Sequence, residues 1–240
     1  MDLITFGCSF TKDNYQSTWA NVLANELDLN LDNRAERGSG SEFIVNRILT
    51  SDLNNATVAI MWPNADRLDL WADDTVPHLQ GDIEHAAWLD GMQPEFVNLH
   101  GERSQTTGFN LNGYWPRGYK EHYYKYLYTS YQSVHNLYRN IITAQLYLDS
   151  IGVPYVMMSS MALQYPLVMW KTPFEIELEI YNKININKFV GGSETEGFIN
   201  WCLTNNKSFL NKWYPTTQSH ADYCQQFILP KAKHEFRNLS

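Results

Sequence analysis

Ser9 stands where a side chain can act as a nucleophile. It follows Leu3-Ile4-Thr5-Phe6, a short β-branched and apolar run that stops at Gly7-Cys8-Ser9-Phe10-Thr11. A buried strand that ends in a glycine, with a small nucleophile two residues on, presents a hydroxyl from a rigid support. The sheet holds the strand, and the glycine permits a tight turn that a side chain would obstruct. Carboxyl ends of strands are also where open α/β sheets bind ligands. An ordinary strand-to-loop turn, with Ser9 capping the next segment, accounts for the same five residues.

Two further stretches have the types that would complete such a site. Gly38 lies in the turn Asn33-Arg34-Ala35-Glu36-Arg37-Gly38-Ser39-Gly40-Ser41, after a second strand-like run, and Asn64 follows a third. Acyl transfer from an ester needs a hydroxyl to attack the carbonyl and preorganised donors for the tetrahedral oxyanion. The backbone N–H groups of Ser9 and Gly38 and the side-chain amide of Asn64 can supply three, and losing one such donor typically costs about 10²–10³ in rate. Arg67, just beyond Asn64, suits an anionic substrate group or a structural ion pair, and Asp66 and Asp69 flank it.

These residues converge only if the elements between them form a parallel sheet. Leu3 to Phe6 predicts the first strand. Ser17 reads as the N-cap of a helix whose face is Trp19, Val22, Leu23 and Leu27. Leu29-Asn30-Leu31 predicts a second strand, and Glu42 to Leu53 a second helix with Phe43, Ile44, Ile48 and Leu49 buried. Thr57 to Trp62 is a third strand, broken by Pro63-Asn64. Strand, helix, strand, helix, strand argues for a parallel sheet with helices on both faces.

From Asp66 to about Lys120 the periodicity fails, with Trp71, Trp88, Phe96, Tyr114 and Trp115 scattered among polar residues. A structureless loop of this length is improbable inside a domain. The stretch is expected to be an insertion at about 66–120 with short elements of its own, folded over the end of the sheet, or a plain structural excursion. Glu121 to Ser150 predicts a long helix, stopped by Gly152 and Pro154. Its buried side is expected to include Leu127, Tyr128, Tyr131, Val134, Leu137, Tyr138, Ile141, Gln145, Leu146 and Leu148. Pro154 to Ser159 predicts a fourth strand. Helical stretches are expected at 174–184 and 197–203, and a last one at about Ser219 to Phe236, capped by Ser219 and disturbed by Pro230. No linker or repeat divides residues 1–240, which are expected to form a single domain.

Composition narrows the function classes. The chain has 240 residues, 44% of them hydrophobic and 14% aromatic, enough to bury a core. Its formal net charge is −8 and no Lys/Arg cluster stands out, so neither nucleic acid nor an anionic membrane is an expected partner. The three cysteines, Cys8, Cys202 and Cys224, lack metal spacing and suit free thiols in a reducing compartment. With Asp2 and a strand-like run at the start, no signal peptide is expected, and no apolar run reaches membrane-spanning length. The expectation is a cytoplasmic protein; a virion protein made in a host cytoplasm would look the same. His78 and His85 are seven apart, with no third ligand at metal spacing, and His100, His122, His135 and His234 are scattered. No metal or cofactor is expected.

With these residues in place, the chain resembles the SGNH, or GDSL-like, hydrolases. Gly7-Cys8-Ser9-Phe10-Thr11 resembles the first block, with Cys8 where the name-giving aspartate often stands. Asn33-x-Ala35-x-x-Gly38 with Gly40-Ser41 resembles the second. Trp62-Pro63-Asn64 resembles the third, with Trp62 replacing its usual glycine. The long helix running into Gly152-Val153-Pro154-Tyr155-Val156-Met157 is similar to variants from phages and polysaccharide-related loci. The resemblance implies a flavodoxin-like three-layer fold and metal-free hydrolysis of acyl esters, often on glycans.

The last block departs from that pattern. The family carries an Asp, then the catalytic His, then usually Pro. Here Pro215 is preceded by Tyr214, and the aspartate position falls on Asn211 or Lys212. A tyrosine, with a pKa near 10, is a poor base at neutral pH. His220, six residues past Tyr214, is the nearest imidazole. It is a candidate base or a packing residue; a helix N-terminus disfavours its charged form, and Asp222 at that spacing faces another way. Two functions stay open: a serine esterase acting on a small-molecule or glycan ester, and a hydrolase fold without catalysis that binds or builds, for instance with other proteins of a phage particle.

Overall fold

Alternation along the strands divides the core in two. In the computed structural model, which describes residues 1–12, 16–65, 67–73, 106–111, 126–163, 179–191, 193, 196–210 and 214–236, β1 (Asp2–Phe6), β2 (Asn30–Asn33), β3 (Ala56–Trp62) and β6 (Tyr155–Ser159) form one sheet. Every pairing in it is parallel, and the order is β2-β1-β3-β6. One more parallel bridge, Met157 to Phe189, adds a trace of a fifth strand beyond β6. With that bridge the order is that of the flavodoxin-like doubly wound sheet.

Ile4, Phe6, Val58, Ile60, Trp62, Tyr155 and Met157 face one side of the sheet. There they meet α2 (Ser41–Leu49) and α3 (Ser130–Ser150) through Phe43, Ile44, Ile48, Val134, Tyr138 and Ile141. Leu3, Ala59, Met61, Val156 and Met158 face the other side. They meet α1 (Trp19–Leu27), α4 (Phe198–Thr204), α5 (Thr217–Tyr223) and α6 (Leu229–Glu235), with Trp19, Leu23, Phe198, Trp201, Tyr223 and Ile228. This is the expected three-layer α/β arrangement: strands buried on both faces read as continuous apolar runs.

Trp62, in the position where the resemblance has glycine, is fully buried, and its Nε1–H donates to Met157 Sδ at 3.4 Å. Gly197 lies so close to the backbone of Met161 that a Cβ would collide with it. That contact seats α4 on the end of β6, and Ile199 N–H donates to Ser160 O at 2.9 Å.

Several element ends differ from the expectation. The N-cap of α1 is Thr18, not Ser17; its N–H donates to Asn21 Oδ1 at 2.8 Å. Helix α2 ends at Leu49, because Asp52 to Asn55 turns into β3. Helix α3 begins at Ser130, capped by the Thr129 hydroxyl. Leu127, Tyr131 and Leu146 are exposed, not buried. Leu127 precedes the helix, and Leu146 sits about 100° round from the buried Gln145. Gln145 instead clips Asn185, donating to its O and accepting from its N–H, both at 2.9 Å.

The 174–184 helix is, in its described part, a 3₁₀ turn at Glu179–Lys183. The C-terminal helix starts earlier than expected: Thr216, not Ser219, is its cap and accepts from Ser219 N–H at 3.3 Å. Pro230 cannot donate and crowds the carbonyl four residues back. The widened π turn Cys224–Ile228 immediately precedes it and absorbs the mismatch. In the expected insertion, β4 (Leu68–Asp73) and β5 (Thr106–Leu111) pair antiparallel as a two-stranded ribbon; residues 74–105 lie outside the described part.

Candidate active site

The loops after β1, β2 and β3 leave the same edge of the sheet, since those strands are parallel neighbours in register. Hydrogen bonds then tie them together. Gly7 O accepts from Glu36 N–H at 3.0 Å and from the Ser39 hydroxyl at 2.9 Å, so the second loop is pinned to the first on both sides of Gly38. Asn33 supports the same junction: Nδ2 donates to Thr11 O at 2.8 Å, and Oδ1 accepts from Ala35 N–H at 3.2 Å. Two glycines are required. A Cβ on Gly7 would overlap the Thr11 hydroxyl. Gly38 has φ of 75°, in the left-handed region that favours glycine.

The chain after β3 joins the second loop through two charged side chains, Arg67 in the third loop and Asp69 on β4. Arg67 Nη1 donates to Ser39 O at 3.1 Å. The carboxylate of Asp69, 8% exposed on β4, accepts from Gly40 N–H at 2.8 Å and from Phe43 N–H at 2.7 Å. Gly40 is the N-cap of α2 and has no side chain to cap it, so a carboxylate 29 residues away satisfies those amides. Asn64 is turned by its own neighbour: Oδ1 accepts from Ala65 N–H at 2.9 Å, and Asn64 O accepts from Arg67 N–H at 3.4 Å.

Ser9 and Gly38 are half-buried, and among the described residues neither of their N–H groups donates to a backbone carbonyl. Ser9, Gly38 and Asn64 thus sit on three loops that share one network. Arg67, considered for a substrate anion, has one guanidinium nitrogen on a carbonyl of that network.

The C-terminal block reaches the same corner. Tyr214 packs on Phe10, the residue after Ser9, with ring centroids 5.7 Å apart. Gln16 Nε2 donates to Pro215 O at 2.7 Å. His220 lies one layer deeper. It is 1% exposed, its ring is 4.8 Å from that of Phe198, and its Nδ1 has no hydrogen-bond partner among the described residues. Burial pushes its imidazole down from 6.5 to about 3. Desolvation, more than the helix N-terminus considered from sequence, is what opposes the charged form.

Asp222 does not orient His220. Its carboxylate takes Lys207 Nζ and Gln218 Nε2, both at 2.7 Å, and these bonds hold it below its ordinary value. Asn211, Lys212, Asp66, His78, His85, His100 and His122 lie outside the described residues. Among the described residues, no three His, Cys, Asp or Glu side chains gather where they could hold a metal ion. No helix among them is long and apolar enough to cross a membrane.

Sequence reasoning missed the Asp69 cap and the Phe10–Tyr214 contact. A side-chain-free cap at Gly40 was the available signal for the first. Nothing local signals the second.

Similar structures include a catalytic mutant of an acetylxylan esterase from Geobacillus stearothermophilus, with TM-score 0.48 and 10% identity, covering 98% of this chain and 93% of that one. A protein of the lipolytic G-D-S-L family from Desulfitobacterium hafniense DCB-2 has TM-score 0.43 and 10% identity, covering 97% of this chain and 98% of that one. No family model and no curated protein matches the chain.

Proposed function

We propose that the protein is an SGNH-like serine esterase that hydrolyses an acyl ester, carried by a small molecule or a carbohydrate. The observation that carries this is the network in which Gly7 O, Ser39 and Arg67 bind three loops into one neighbourhood. In this reading the Ser9 hydroxyl attacks the ester carbonyl. The oxyanion is held by the N–H groups of Ser9 and Gly38 and by the Asn64 amide. The alcohol leaves, and water releases the acyl group from Ser9.

The proton that leaves Ser9 needs an acceptor. His220, the candidate base, is buried and holds a proton poorly, and Tyr214 occupies the position that the resemblance gives to the histidine. Turnover is therefore expected to be slow. Removing the triad histidine of a serine hydrolase costs on the order of 10⁶ in kcat, while roughly 10³–10⁴ over water survives from binding and the oxyanion site. The test is hydrolysis of a small activated acetyl ester by the wild type and by Ser9→Ala. A slow rate lost in the variant supports the esterase; equal rates remove it.

The commitment of Asp222 to Lys207 and Gln218 favours a second reading, a binding or structural module, of a phage particle for example, in which catalysis has been lost. Retention of an acylated glycan without turnover, or co-purification with a particle, is the observation that would support it.

A further inference from the structure

We propose that Asp69 is the positioning residue of the oxyanion loop: its carboxylate, reaching back from β4, sets where the Gly38 N–H points. The proposal rests on the esterase reading for its catalytic consequence, but not for its geometry. Two facts make Asp69 more than a helix cap. It accepts from both Gly40 and Phe43 N–H, at 2.8 and 2.7 Å, so each carboxylate oxygen is assigned to one amide of the same turn. The fit is also closed from the opposite side, because a Cβ placed on Gly40 would come within 2.7 Å of Asp69 Oδ2.

Gly38 is two residues before Gly40, and Ser39 lies between them; its N–H donates to Glu36 O at 3.4 Å, and its hydroxyl also reaches that carbonyl at 2.8 Å. Its hydroxyl donates to Gly7 O at 2.9 Å and its carbonyl accepts from Arg67 at 3.1 Å. Among these anchors Asp69 is the one that is both charged and buried, where such hydrogen bonds are strong. Releasing Gly40 would loosen the turn two residues after Gly38 and let the Gly38 N–H move out of line. A shift of an ångström in a donor is enough to cost large factors in rate.

The carboxylate comes from the β4–β5 ribbon, not from the β3 loop that carries Asn64. An asparagine at position 69 would keep one acceptor and turn an N–H₂ toward the other amide, so it tests the pairing without emptying the site.

The experiment has two arms. In the first, amide hydrogen exchange is followed over residues 38–45 in the wild type, Asp69→Asn and Gly40→Ala. Faster exchange there in both variants, by about tenfold or more, is expected; unchanged exchange in either overturns the proposal. In the second, kcat and KM for a small activated acetyl ester are compared. Asp69→Asn is expected to lower kcat by about 10–100-fold, within the range for an oxyanion donor, with KM changed less than about threefold. The double variant is expected to be less impaired than the product of the single effects. A KM effect without a kcat effect, or strict multiplicativity, overturns it. Should wild type and Ser9→Ala turn over equally, the esterase reading fails, and the exchange arm still decides whether Asp69 holds the loop. Gly40→Ala reports on the same contact if Asp69→Asn does not fold.

Discussion

The ring of Tyr214 lies against the ring of Phe10, 5.7 Å between centroids. The residue before Pro215 is thereby brought beside the residue after Ser9, across more than 200 positions of chain. Gln16 reinforces the approach by donating to Pro215 O at 2.7 Å and accepting from the Thr217 hydroxyl at 3.2 Å. Tyr214 is thus held beside the loop that carries Ser9, where the proposed esterase would need an imidazole.

Tyr214→His is accordingly expected to raise esterase turnover. An imidazole there would need a carboxylate to orient it, and Asn211 and Lys212 fall at the spacing of the missing aspartate. We expect Tyr214→His with Asn211→Asp or Lys212→Asp to exceed wild-type kcat/KM for a small acetyl ester by about tenfold or more, general-base catalysis contributing about 10²–10⁴ when well placed. Tyr214→Phe serves as the control for lost tyrosine. Histidine variants no faster than this control would show that the corner is not a base position.

His220 makes a pH prediction. Its folded pKa, about 3, lies below the 6.5 of the unfolded chain. Its stabilising contribution is thus present above pH 6.5 and lost as pH falls toward 3, because the unfolded chain takes up a proton that the folded one refuses. The slope approaches about 1.4 kcal/mol per pH unit. Between pH 7 and 5.5 the wild type is expected to lose about 1 kcal/mol more unfolding free energy than His220→Gln, read by urea titration. Equal losses would mean that the imidazole is protonated in place. Unchanged turnover in the same variant would clear His220 as the base.

The sheet was legible because its strands are buried on both faces: Ala56 to Trp62 and Tyr155 to Ser159 are short apolar runs almost without break, bounded by turn residues and too short for a helix. Helix ends were less so. Thr216 and Ser219 are both good caps, and only the fold decides that Thr216 is outside the helix and Ser219 within it. The start of α3 was blurred by Leu127 and Tyr131, which continue the apolar pattern while facing outward. At the site, Ser9, Gly38 and Asn64 could be placed on converging loops from strand order alone. The side chains that bind those loops could not: Asp69 meets Gly40, and Arg67 meets Ser39, over separations of 29 and 28 residues that no local rule addresses.

Gly38 and Gly152 separate backbone cost from chemistry. Both are left-handed, with φ of 75° and 67°. Gly152 ends the turn after α3, and a Cβ there would meet nothing within 4 Å among the described residues. An L-residue in this region costs about 1–2 kcal/mol, so Gly38→Ala and Gly152→Ala are each expected to lower unfolding free energy by about that amount. They should part in turnover. Gly152→Ala lies far along the chain from the three loops and is expected to keep wild-type kcat. Gly38→Ala must relax its backbone and carry its N–H away from the oxyanion, so kcat is expected to fall by up to about 10²-fold. Gly38→Asn, whose side chain tolerates the left-handed region better, should recover part of both losses. If Gly38→Ala were destabilised but kept full kcat, the Gly38 amide would be a turn residue and not an oxyanion donor.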